Sequence, residues 1–217
     1  MTLTFAGTLD HAAVVRAVDA LVDLVSAPAV AASWERESAL PGMTVGGLAR
    51  HLVSQPECAV EFLRIAPPAD AGTLSLMDYY ARVDWLHAAV DSPENTSIRD
   101  DFNELAGPGP ADSVDILQRA RAELPAALAA AGPETYVPWQ DCALNVDDFL
   151  VCRLLEIVVH ADDLAASVGC PTPQFDDDVR DPVVALLATL SVRRRGQDAV
   201  VRALARTERA NGSVSAF

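Results

Sequence analysis

The sequence predicts an all-α fold: a bundle of helices with short helices added at the C-terminal end. Three observations lead there. Apolar residues recur at spacings of three and four through most of the chain, as the buried stripe of a helix requires. Proline and glycine separate these stretches, at Pro28, 40–42, 67–68, 92–93, 107–110, 132–133, Pro138, 169–173 and 181–182. Few windows alternate as strands do; TYVPW (135–139) is the best, and Pro138 weakens it.

The first helix is expected over 8–26, with Leu9, Ala13, Ala17, Leu21 and Leu24 on one stripe. A second starts after Thr44, a suitable N-cap, and runs to about Ile65. A third covers 75–90 and a fourth 112–131, where Pro125 threatens a kink or a split. A fifth begins after Asn145, with Asp148 in its first turn, and stops at Gly169. Two shorter helices are expected near 179–190 and 198–208. The chain shows no internal repeat and no low-complexity linker.

Composition excludes several classes. At 217 residues the chain can bury a substantial core, and 51% hydrophobic against 22% charged residues describes a folded protein. A formal charge of -15 and a pI near 4.4 argue against general nucleic-acid binding, which needs a basic surface. All 16 basic residues are arginine, and alanine is abundant, which suggests a GC-rich bacterial genome. The four cysteines (Cys58, Cys142, Cys152, Cys170) show no CxxC spacing, the N-terminus lacks a basic leader, and no apolar run reaches the roughly 18 residues of a membrane span. The expectation is a soluble cytoplasmic protein with reduced thiols, a monomer or homodimer.

The chemistry concentrates in RLLEIVVHADDL, 153–164. Arg153, Glu156, His160 and Asp163 form one polar line on a helix that is apolar on its other sides. A buried carboxylate needs a cation or several donors. Arg153, one turn away, could supply the cation, in which case the pair merely holds a core helix in register. Alternatively, Glu156 and His160 are two ligands of a divalent metal ion, and a third comes from elsewhere. The other histidines are His11, His51 and His87; Cys58 shares a face with His51 and is a further possible ligand.

LPGMTVGGLARHLV, followed about a hundred residues later by RLLEIVVHADDLAASVG, resembles the mycothiol-dependent maleylpyruvate isomerase family of actinobacteria. That family belongs to the DinB-like group of metal-binding four-helix bundles. Met43 stands where the family pattern has tryptophan. The resemblance implies an up-down-down-up bundle with the metal at one end of a central cavity. It puts the metal ligands on His51, Glu156 and His160, with zinc the expected ion. It implies mycothiol as thiol cofactor, together with a small-molecule substrate. A bound divalent cation lowers a thiol's pKa, so that thiolate can add to an electrophilic double bond. Rotation and elimination then give isomerisation, and retention of the adduct gives an S-transferase. Asp163 matches the family's H-x-x-D-L and could orient His160. Arg82 lies where related chains often carry an arginine and could bind a substrate carboxylate.

The characterised isomerases carry a C-terminal α/β domain, whereas only about fifty residues follow Gly169 here. The expected division is a metal-binding bundle over 1–170 and a helical extension over 171–217. Val183, Leu186, Leu187 and Leu190 would pack that extension on the bundle. Arg193–Arg195, Arg202, Arg206 and Arg209 either pair at the surface or face the metal cavity. Three functions remain from sequence: a metal- and thiol-dependent enzyme, a non-catalytic metal- or small-ligand-binding bundle, and a purely structural Glu156 pair.

Overall fold

Two caps decide where the central helices begin. Thr44 turns its hydroxyl back to accept from the Gly47 amide, and helix α3 (Val45–Phe62) follows. Asn145 does the same for the Asp147 amide, and helix α7 (Val146–Val168) follows, ending at Gly169 in the left-handed conformation (φ +70°). The computed structural model describes residues 3–83, 92–210 and 212–217. Its remaining helices are α1 (His11–Val25), α2 (Pro28–Ala32), α4 (Leu76–Ala81), α5 (Pro93–Leu105), α6 (Pro110–Ala130), α8 (Asp177–Arg195) and α9 (Gln197–Ala205). Strands β1 (Glu134–Val137) and β2 (Cys142–Asn145) form a hairpin, paired antiparallel with Glu134 opposite Asn145. The fold is the expected mainly helical DinB-like bundle.

Helices α1, α3, α6 and α7 form the bundle. Helix α3 packs on both α6 and α7, and α1 packs on the same two, so α1 and α3 lie across the bundle from each other. The seam is filled by Leu21, Leu48, Leu52, Leu117, Leu124, Leu150 and Leu154, none more than 1% exposed. Each such leucine stabilises the fold by about 1.5–3 kcal/mol. Helix α8 lays Val183, Leu186 and Leu190 against α7 and α1.

Several details depart from the sequence reading. Helix α6 continues through Pro125, because that proline sits on the solvent face and water can take the carbonyl it frees. The TYVPW segment does form a strand; Pro138 ends it by opening the 3-10 turn that carries Trp139 and Gln140. Of the helix expected over 75–90, α4 covers Leu76–Ala81, and residues 84–91, including Trp85 and His87, lie outside the described residues. Helix α5 was not expected. It is mostly polar, and its signal is confined to Pro93 at the start and to Ile98, Phe102 and Leu105 at helical spacing.

Helix α5 explains the paired glycines of the TVGGLARHL motif. A Cβ on Gly46 would come within 2.6 Å of the Trp34 ring, whose Nε1 donates to the Ala106 carbonyl just past α5. A Cβ on Gly47 would collide with the Asn103 side chain. Asn103 Oδ1 accepts from the Thr44 amide (2.9 Å) and from its hydroxyl (3.1 Å), so α5 docks directly on the α3 cap. Gly46→Ala is expected to destabilise the fold by about 1–3 kcal/mol, the usual range for overpacking. Urea unfolding measures it, and a loss under about 0.5 kcal/mol would mean the Trp34 contact gives way freely.

Candidate metal centre

The first turns of α3 and the middle of α7 face each other, and this brings His51 to Glu156 and His160. Glu156 Oε2 lies 3.1 Å from His160 Nε2 and 3.5 Å from His51 Nε2. The imidazole centroids are 4.7 Å apart, nearly perpendicular. One ligand atom from each of the three residues falls within 4.8 Å of the other two, and among the described residues this group could hold a metal ion. A tetrahedral ion with bonds of about 2.1 Å needs donors about 3.4 Å apart, so only small side-chain movements separate this arrangement from coordination. Their side chains are only 13–16% exposed.

The surroundings set the charges. Burial holds the His51 imidazole below its ordinary pKa despite its hydrogen bond to Glu156, and a neutral ring is the form that ligates. Burial would also lower His160. Hydrogen bonds to Asp163 (3.0 Å, at Nδ1) and to Glu156 (at Nε2) outweigh it and raise His160 to about 9. Burial would raise Glu156, but His160 and His51 together hold it well below the usual carboxylate range. The donor set therefore contains a committed carboxylate, a neutral imidazole, and a second imidazole backed by a carboxylate. That is the composition of a divalent transition-metal site. Among the described residues the buried Nδ1 of His51 has no partner, which leaves that ring incompletely satisfied.

Spacing along the sequence did not reveal the ring's other neighbour. Phe102 of α5 meets the His51 ring edge-on at 4.3 Å and helps to keep water from it. Nor does the core arginine do what one-turn spacing allowed. Arg153 Nη1 donates to Gln55 Oε1 (2.7 Å), and among the described residues no carboxylate pairs with it; Glu156 is served by the histidines instead. Arg82 caps the end of α4, is exposed, and acts electrostatically on Cys142. No described contact joins it to the cluster. Cys58 is half-buried, and burial pushes its thiol up, away from the thiolate a ligand must be. His11 meets Asp147 at 2.7 Å, at the head of α7. Arg193 donates to the Met77 carbonyl, Arg195 to Ser215, and Arg202 to Asp198, so these members of the C-terminal group have partners away from the cluster.

A helical bundle with two histidines and a glutamate gathered between facing helices defines a class, the DinB-like bundles, here with a group that could hold a metal ion. Within that class, residues 14–165 match the family described as mycothiol maleylpyruvate isomerase N-terminal domain. The match covers well over half of the chain, and the chain belongs to that family. No curated protein and no solved structure matches it. Met43 is 3% exposed and lies in the core. No helix is long and apolar enough to cross a membrane among the described residues.

Proposed function

We propose that this chain is a divalent-metal-dependent, mycothiol-dependent isomerase or S-transferase acting on a small electrophilic substrate in the cytoplasm, as a monomer or homodimer. His51, Glu156 and His160 are its metal ligands, zinc is the ion, and Asp163 orients His160. Residues 1–170 act as the metal-binding unit and 171–217 as its extension. The observation that carries this reading is the convergence of three donor atoms, one on a neutral imidazole, in a family tied to mycothiol. A divalent ion in such a site lowers the pKa of a thiol at its open position. The chain's own residues do the rest: Glu156 supplies fixed negative charge, Asp163 holds the His160 ring, and Phe102 shields His51.

The test uses protein purified without a histidine tag. Metal per chain is counted by mass spectrometry in wild type and His160→Ala. The loaded wild type is then mixed with mycothiol and cis-unsaturated acids and followed by NMR. About one ion per chain, lost in the variant, with isomerised acid or thiol adduct, is the expected result. A chain that takes up no zinc sinks the reading. A loaded chain that neither isomerises nor conjugates leaves the alternative, a bundle that binds metal or a small ligand without turnover.

A further inference from the structure

Arg153 is the feature of this molecule that the metal centre does not use. It is 8% exposed, and among the described residues its buried Nε has no partner and no carboxylate pairs with it. Glu156 acts on this guanidinium from a distance, and the Nε of Arg153 keeps an unmet hydrogen bond that an anion could accept. Its place is fixed from both helices of the cluster. Gln55 Oε1 accepts from Arg153 Nη1, while Gln55 Nε2 donates to the His51 carbonyl (3.0 Å). One glutamine thus ties the arginine to a ligand of the triad, and Arg153 itself stands one turn before Glu156. Two rings flank the guanidinium, Phe149 at 5.6 Å and Trp139 at 5.7 Å. Trp139 is 53% exposed, so its outer face meets solvent. Gln140, next in the same turn, buries its Oε1 without a partner.

We propose that Arg153 anchors the carboxylate of a small acidic ligand beside the triad, so that the ligand's reactive carbons lie toward Glu156 and His160 while Trp139 covers its outer side. The planar guanidinium fork suits a carboxylate, and a divalent ion held against a single ligand carboxylate would leave positive charge for a second negative group. The inference rests on the reading of the triad as a reaction centre for its meaning, although the anion binding itself does not need the ion. It assigns to a buried arginine on the central helix the task that the resemblance suggested for Arg82.

Succinate, chemically inert and carrying two carboxylates, is the probe, titrated by calorimetry into the full chain with and without zinc; dimethyl succinate is its uncharged counterpart. Arg153→Gln is expected to weaken succinate binding by about ten- to a hundredfold at unchanged zinc content, as loss of a charge-assisted pair does. Arg82→Gln should leave it unchanged, and dimethyl succinate should not distinguish the variants. Should Arg153→Gln fail to fold, Arg153→Lys decides: it keeps the charge and loses the fork, and about a tenfold loss is expected. Wild-type affinity in either folded variant, or no succinate binding by wild type, overturns the proposal. A chain that takes up no zinc overturns the reaction-centre reading instead, and the zinc-free titration then judges Arg153 by itself.

Discussion

Glu156→Gln is expected to keep the fold and lose the ion. Glutamine preserves the volume and can still hydrogen-bond the two imidazoles, but it removes the one committed negative charge among the three donors. Affinity should drop by more than a hundredfold, beyond the ten- to hundredfold typical of a mere supporting residue. The readout is thermal unfolding with and without zinc. An ion held at about a thousand times its Kd stabilises the native state by about 4 kcal/mol. In a chain of this size that corresponds to roughly 8–16 °C in Tm. Wild type should show that rise and the variant should not. Equal rises would put the ion elsewhere, and no rise in wild type would mean that Glu156 and His160 form only an ion pair.

The second large effect is on pH. In the ion-free site His160 keeps its proton up to about pH 9, because Asp163 and Glu156 both accept from the ring. Ligation through Nε2 requires that proton to leave. His51 releases none, since burial already holds it neutral. Uptake near pH 7 should therefore release about one proton, and apparent affinity should rise about tenfold per pH unit from 6 to 8. Calorimetry in buffers of different ionisation enthalpy counts the proton. The raised pKa also means that protonated His160 stabilises the ion-free fold. That contribution is complete below about pH 6.5 and is lost as pH rises through 9. The zinc-induced rise in Tm should accordingly grow with pH. Asp163→Asn removes the negative charge beside the ring, though its amide oxygen can still accept, and should move the plateau in affinity to lower pH; an affinity independent of pH from 6 to 8 would contradict the assignment.

What could be read from the sequence was what local chemistry determines. Thr44, Asn145 and Gly169 mark their helix ends by capping and by left-handed geometry, both decided within three residues. The E-x-x-x-H spacing puts Glu156 and His160 on one face whatever surrounds them. His51 was found only through the likeness of its motif, because nothing local says that two segments a hundred residues apart will face each other. Helix α5 escaped because it buries little and is held by specific docking, Asn103 on the α3 cap and Phe102 on His51. The partner of Arg153 escaped for a related reason. One-turn spacing offered Glu156, but the histidines on both sides of that carboxylate satisfied it first, and the arginine turned to Gln55 across the seam.

The separation of the donors along the chain also carries a timetable. At a synthesis rate of about 5–20 residues per second, roughly 5–20 s pass between the appearance of His51 and that of His160. Throughout that interval α3 exists with one imidazole and no counterpart. The head of α7 must then also gather in the start of the chain, since Asp148 accepts from the Thr4 hydroxyl and the Phe5 amide, and Asp147 from the Gly7 amide. An ion taken up by all three donors would therefore arrive last: it would act as a lock on a completed bundle, not as the seed around which the bundle condenses.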